Sequence, residues 1–552
     1  AYEYRYDEHG NIVKKFIPGG GYTQYWYDRA GRMTFMQDEN LRAQNLHRFF
    51  VYDRAGRQVM QGTTAVCNRS SSVNFADYTG GTSGFQSTGY TLQDASRLQQ
   101  VSLETVDYYD DYSFASALDS RLAQTASVSA KGLGTGSVVY NSEGGKSVSA
   151  VYYDKRSNVA TLREITDFGT LRVTDNTYTF TNQPLTTKMT ESGGVTMLTE
   201  NTYDTNSGLL VSTDVTVNGT KQRVSKVTYD DLGRMASVVR GNGANGGGTV
   251  SYAYNLHGQT TSISGPGFTQ KLHYTDGPGK PLYNGSVSSM LWTMDSDATQ
   301  RGYKYTYNGY NWLTLAEYGE GATLTTHKDR YTERFSEFML NGGIRRLQRH
   351  GLKADGNYGK IDNLHISYDG NRIKTVLEDA DPVTQSGSMD YPGKKREMAF
   401  GYNDWGALVS DESRGIESIE YDNFGNPVKI LMSDGSYTSN VYSCSGNKLK
   451  TNHYTSPKVS VLPVNAALAT AEAVTAANEV QIASLTKLEY RGPAIYRNGK
   501  IDMVLFPGGY ATIGVDKSVT FHYYTQDYLG NNRAVVNGST CLLYTSDAAD
   551  DL

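Results

Sequence analysis

Apolar and polar residues alternate along much of this chain with the period of a β-strand. Gly31-Arg32-Met33-Thr34-Phe35-Met36, Gly56-Arg57-Gln58-Val59-Met60 and Gly233-Arg234-Met235-Ala236-Ser237-Val238 each put every second side chain on one face. Each run follows the same short phrase. Tyr6-Asp7-Glu8-His9-Gly10-Asn11 recurs as hexads opening at Tyr27-Asp28 with Gly31, Tyr52-Asp53 with Gly56, Tyr229-Asp230 with Gly233 and Tyr421-Asp422 with Gly425. Looser copies pair Tyr254 with Gly258, Tyr402 with Gly406 and Tyr442 with Gly446, and degenerate ones sit at Tyr153, Tyr178, Tyr203, Tyr307 and Tyr368. In such a hexad Tyr closes a strand, Asp accepts backbone N–H bonds and Gly supplies the freedom to leave a type I turn, so the phrase predicts a hairpin. Asn218-Gly219, Asp434-Gly435 and Asn498-Gly499 mark the second turn of a unit.

The steps from Tyr153 to Tyr178, Tyr203, Tyr229 and Tyr254 are 25, 25, 26 and 25 residues, and those from Tyr402 to Tyr421 to Tyr442 are 19 and 21. A period in this range predicts a repeat array. A unit of two short strands cannot bury a core by itself, so neighbours must extend one another's sheet. The fixed hand of sheet twist makes a long antiparallel strip coil, giving it an inside. The 43 tyrosines among 552 residues suit this arrangement, since a ring packs across strands while its hydroxyl reaches water or a backbone group.

The hexads resemble the YD repeats of the RHS (rearrangement hotspot) family, over residues 1–60 and 151–450. The stretch Leu488 to Asn537 is similar to the opening of that family's RHS-associated core domain, through Leu488-Glu489-Tyr490-Arg491-Gly492, Phe506-Pro507-Gly508-Gly509-Tyr510 and the signature Asp527, Leu529, Gly530, Asn531 and Arg533. The wording is closest to Bacteroides-type members. The resemblance implies an all-β fold, a spiral antiparallel sheet forming a β-cocoon or part of one around a C-terminal toxin. The Asp-Pro-x-Gly segment that ends the family's core domain is not among these residues. The single Asp-Pro pair, Asp381-Pro382, continues as Val383-Thr384 between repeats.

Six segments follow from this reading: first YD repeats at 1–60, a family-type insertion of loops and strands at 61–150, the repeat array at 151–460, an Ala-rich helical insertion at 461–487, the start of the core domain at 488–540 and a tail at 541–552. The helix candidate runs from Asn465 to Ile482. Cys541 to Leu552 abandons the strand pattern and resembles translated adaptor sequence at the end of a metagenomic gene fragment. Ala1 already lies within strand-like sequence, which suggests that the natural N-terminus lies upstream.

Net charge is -5, from 52 Lys and Arg against 57 Asp and Glu, so nucleic-acid binding has no global electrostatic support. No run of about 18 apolar residues suggests a membrane span. Cys67, Cys444 and Cys541 are scattered and form neither a disulfide framework nor a CxxC site. None of the nine histidines has zinc-site spacing, and His9 and His257 fall at variable turn positions. Gly241-Asn242-Gly243-Ala244-Asn245-Gly246 fits GxGxxG, but a strand follows it, so it reads as a hairpin loop. Asp107, Asp110 and Asp111 read as a solvated acidic turn, without the alternating ligands of a calcium loop.

No catalytic, cofactor or metal residue is therefore expected, and the chain reads as a structural wall. The expected function is the shell part of a secreted or cell-surface protein that encloses and delivers its own C-terminal toxin, absent from these residues, in competition between bacteria. Secretion machinery or cell-surface glycans would be further partners. The alternative is a surface adhesin or carbohydrate-binding protein that stacks Tyr-rich faces on sugars.

Overall fold

A computed structural model describes residues 2–67, 69, 74–241, 246–381, 390–393, 395–456, 484–540 and 543–544. The Asn465–Ile482 helix candidate, Pro382 and residues 242–245 of the glycine loop lie outside this set.

The chain is almost entirely antiparallel β-structure, each strand pairing chiefly with its neighbours in sequence. It forms two compact units. The first comprises Ala1–Leu198, Gly401–Asp411 and Gly415–Ile501, and the second Thr199–Phe400, Glu412–Arg414 and Asp502–Leu552. The stretch read as the start of the core domain is thus shared, its strands Ser484–Arg491 and Ala494–Arg497 lying in the first unit and Val519–Gln526 and Asn532–Asn537 in the second.

The strands form where the alternation indicated. Met33–Gln37 pairs with Tyr22–Tyr27, and Met235–Arg240 with Thr220–Tyr229. In both pairs the register slips by one residue just before the hexad Tyr. That slip, with the five-residue reversal after it, is a type I turn closed by a glycine bulge.

Among the described residues the first unit contains two short α-helices that the strand periodicity did not indicate. Glu39–Ala43 starts where the Asp38 carboxylate accepts the Leu41 N–H at 2.8 Å, and it buries Leu41 completely. Ser113–Leu118 lays Phe114 flat on Tyr108, with ring centroids 4.2 Å apart. The close fit needs Gly136, because a Cβ there would lie 2.3 Å from the Phe114 ring. Around this pair sits an extended apolar cluster, including Phe35, Phe49, Val59, Met60, Val106, Leu122 and Val138. Asp107 is not in a turn: it lies within the strand Leu98–Asp110, and burial pushes its carboxyl up to about 6.

Within each unit the strip also returns on itself. In the first unit Ser142 N donates to Tyr442 O at 2.8 Å and Cys444 N to Tyr140 O at 2.7 Å. In the second, Thr525 Oγ1 donates to Pro266 O at 2.8 Å, and Tyr528 N to the Gln270 side-chain oxygen at 3.0 Å.

Candidate functional site

The repeated unit of chemistry is the hexad turn. At Tyr27-Asp28-Arg29-Ala30-Gly31-Arg32, Asp28 N donates to Arg32 O at 2.9 Å and Gly31 N to Asp28 O at 3.0 Å. The Asp28 carboxylate accepts from the backbone of Ala30 and Arg32 with one oxygen and from the Arg32 guanidinium, at 2.7 Å, with the other. The carboxylate is thus almost fully saturated in a side chain that is 1% exposed. Gly31 has a φ of +74°, a conformation costly for any residue with a Cβ.

The same pair of backbone bonds closes the turns at Asp7 and Gly10, Asp53 and Gly56, Asp230 and Gly233, Asn255 and Gly258, Asn403 and Gly406, Asp422 and Gly425, and Ser443 and Gly446. Each is preceded by its tyrosine, Tyr6, Tyr52, Tyr229, Tyr254, Tyr402, Tyr421 or Tyr442. The degenerate copies at Tyr153, Tyr178 and Tyr307 keep the geometry without the glycine, since Ser157, Asn182 and Asn311 hold φ values of 62°, 63° and 61° at its place, whereas the turn after Tyr203 is one residue longer, from Asp204 to Leu209, and Asp369 pairs with Arg372 across a tighter turn. The core-domain signature is built the same way. Asp527 N donates to Asn531 O and Gly530 N to Asp527 O, both at 3.0 Å, with Gly530 at a φ of +88°. Leu529 N and Asn531 N donate to the Asp527 carboxylate, and Arg533 Nε reaches it at 2.9 Å. Leu529 itself projects into solvent, 70% exposed.

The hexad tyrosine has a second role that only the folded chain discloses. Its hydroxyl donates to the carbonyl of the first strand residue after the preceding turn: Tyr27 to Ile12, Tyr52 to Met33, Tyr229 to Leu210 and Tyr254 to Met235, at 2.8–3.0 Å. Each of these four repeats is thereby pinned to the strand that follows the preceding turn. Burial raises the pKa of all four phenols, keeping them protonated donors. Turns along one edge also bond to each other, Arg234 Nη1 to Asn255 O at 3.0 Å, Gln259 Nε2 to Gly285 O at 3.0 Å and Asn284 Nδ2 to Asn311 Oδ1 at 2.8 Å. The alternation revealed the strands, while these bonds depend on side-chain reach between units.

The electrostatics serve the turns. Asn11 and the backbone around it hold the Asp7 carboxyl below its ordinary value, and the Arg234 backbone and guanidinium do so for Asp230. At Asp527 burial pulls the pKa upward, but the bonds from Asn531 and Arg533 outweigh it and the carboxyl stays depressed. Burial pushes the Cys444 thiol up to about 12, which removes its nucleophilic form at neutral pH. Among the described residues no three His, Cys, Asp or Glu side chains converge as metal ligands, and no helix is long and apolar enough to cross a membrane.

These features define a repeat sheet whose named residues all serve turn and inter-repeat architecture. No family model and no curated protein matches the chain. Solved structures do. A crystal structure of TcdB2–TccC3 without its hypervariable C-terminal region matches 99% of this chain and 25% of its own length, with a TM-score of 0.60 at 12% identity. The Photorhabdus luminescens Tc holotoxin pore matches 99% of this chain and 28% of its own, with a TM-score of 0.52 at 12% identity. The likeness is one of fold, and this chain spans about a quarter of the length of those chains.

Proposed function

We propose that this chain is the non-catalytic wall of an RHS/YD-repeat protein, of the Bacteroides type, that encloses its own C-terminal toxin and delivers it to competing bacteria from the cell surface or after secretion. The observation that carries this reading is the hexad, repeated as one hydrogen-bonded turn along the chain, in a fold similar over 99% of its residues to a toxin protein solved without its hypervariable C-terminal region. The chemistry agrees. A wall must exclude proteases and hold a cargo without gripping it. A sheet pinned repeat to repeat by tyrosine hydroxyls does the first, and polar side chains between the pinned positions do the second. Residues 488–540, whose signature is one more copy of the turn, would continue into a complete core domain, with the toxin beyond it.

The test is to express the coding sequence that continues downstream of residue 540 and to digest the purified product with a broad protease. A C-terminal region that resists digestion with the wall intact, and is degraded once the wall is opened by denaturant, is the expected result. A C-terminal region cut equally fast with the wall folded or unfolded would sink the enclosure. Hydrolytic or transferase activity in residues 1–540 alone would remove the non-catalytic assignment.

A further inference from the structure

The two edges of the sheet in the second unit end in turns of opposite character. Along one edge lie the turns 230–234 and 255–259, the loop 274–288 and the turns 308–312 and 339–343, each joining strands that pair antiparallel within the unit. Their tips present Leu232, Leu256, Tyr283, Tyr310 and Leu340, each at least 71% exposed. Among the described residues of 199–400, every large apolar side chain exposed to that degree sits at this edge. The turns of the opposite edge carry Asn218-Gly219, Asp295-Ser296 and Asp355-Gly356 instead. Turn geometry asks for small polar residues and glycine, so a leucine or tyrosine at five successive tips is no requirement of the fold.

The tips form one row. Consecutive tips are two strands apart, about 10 Å at ordinary strand spacing. Trp312 stacks on Tyr310 with ring centroids 5.1 Å apart and meets Phe338 at 5.3 Å, which carries ring surface from one tip toward the next. Between Leu256 and Tyr283 the row opens into a crevice of about 490 Å³, lined also by Tyr274 and Leu282. A row of exposed apolar side chains of this length marks an interaction surface.

Three properties decide what covers it. Residues 255–259, 282–285, 308–312 and 339–343 contain no Lys, Arg, Asp or Glu, in a chain where those types make up 20%, so a charged partner finds nothing to pair with. The tips are single side chains set apart by Asn and Gly, which gives a protein partner no continuous face, whereas a stable protein interface needs about 1,000 Å² of matched surface. A bilayer takes up each side chain separately. The turn backbones also bond within themselves: Gly258 N donates to Asn255 O, Asn311 N to Asn308 O and Gly342 N to Met339 O, each at 3.0 Å. The Asn255 and Asn308 side-chain oxygens accept further backbone N–H groups of their own turns. The tips can therefore leave water without stranding the groups that close each turn. Tyrosine and tryptophan suit the headgroup level, with ring toward the acyl chains and polar atom toward water.

We infer that this edge of the second unit rests on the surface of a lipid bilayer, with Leu256, Tyr283, Tyr310 and Leu340 inserted where the headgroups meet the acyl chains. Apolar burial drives the attachment, so it takes neutral lipid and does not weaken with salt. The attachment is peripheral, and it stands whether or not the wall encloses a toxin.

The experiment floats the whole chain with vesicles of phosphatidylcholine. Flotation that is undiminished at raised ionic strength is the expected result. Leu256→Asp combined with Leu340→Asp should weaken partitioning by roughly tenfold or more. Ala354→Asp, at an exposed turn of the opposite edge, should float as the parent does. Leu256→Trp reads position directly: its added fluorescence should shift to the blue on vesicles and be quenched by bromine-labelled acyl chains, while that of Ala354→Trp should not. If the double variant melts early, the quenching comparison replaces it. Absence of flotation, flotation that requires phosphatidylserine and vanishes in salt, equal partitioning by the double variant, or equal quenching at positions 256 and 354 would each overturn the assignment. So would a chain that sediments as a dimer, turns monomeric in the double variant and does not float, since the row would then be a protein interface.

Discussion

The region around Phe114 and the array around Val238 are both antiparallel sheet, yet they are held by different means. In the first, helix Ser113–Leu118 and the strands beside it bury a continuous cluster running from Phe35 to Ile165. Arg48 and Glu104 form a buried bidentate pair there, with side chains 7% and 5% exposed. In the second, the buried cluster is one aliphatic residue per strand, Val227, Val238, Val250 and Ile263, flanked by Tyr229 and Tyr252. The array makes up for a thin core with turn carboxylates, bulge glycines and tyrosine hydroxyls, each a modest contribution repeated many times. Insertion and array thus show two solutions to one problem, a thick local core against a periodic set of polar pins.

The widest separation should come from large-to-small substitution. Phe114→Ala, which empties a stacked and fully buried site, should cost about 3–5 kcal/mol, and Val250→Ala in the array about 2 kcal/mol or less, read from urea unfolding midpoints. Equal losses would erase the distinction.

The next effect belongs to the bulge. Gly233 has a φ of +76° with no atom within 4 Å of an added Cβ, so Gly233→Ala tests backbone strain alone and should cost about 1–2 kcal/mol. Ser157→Gly, at the equivalent place in a degenerate copy with a φ of 62°, should act in the opposite direction by a few tenths of a kcal/mol. Stabilisation by Gly233→Ala would mean that the turn relaxes into another type.

Removing one pin should be smaller still. Tyr254→Phe keeps the ring and deletes the bond to Met235 O, for a loss of about 0.5–1.5 kcal/mol. Hydrogen exchange is the sharper measurement: protection should fall in the strands Met235–Arg240 and Gly248–Tyr254 and stay unchanged around Phe114.

Acid should divide the two regions by pH. Burial holds His47 below its ordinary value, with both ring nitrogens lacking partners beside Trp26. The unfolded chain therefore takes up the proton more readily, and stability falls as pH drops below about 6.5. The array's Asp230 is depressed instead, so its contribution is complete at neutral pH and is lost only as pH falls below about 4. Tryptophan fluorescence during acid titration should show a change as pH falls below about 6.5 that His47→Gln removes. Persistence of that change in the variant would assign it elsewhere.

The hexads and the strand alternation were legible in the sequence because each is local: an Asp, a Gly and a period of two need only their own neighbours. The Asp527 signature was legible as a motif, though its identity with the repeat turn emerged only from the backbone bonds. Helix Ser113–Leu118 was not legible, since its six residues carry a pattern too short to register a helical period and are placed by packing on Tyr108 and Gly136. The return of the strip on itself was equally hidden, because Ser142 and Tyr442 lie about 300 residues apart and become neighbours only in the folded sheet.

Residue order by itself determined that this protein is a chain of hairpins, since turn geometry is decided within five residues by carboxylate, glycine and backbone. Tertiary structure decided what each tyrosine hydroxyl grips and which carboxylates lose their water. Those outcomes depend on which strands lie side by side and which segments cover them, and chain entropy leaves that choice open until distant strands have paired.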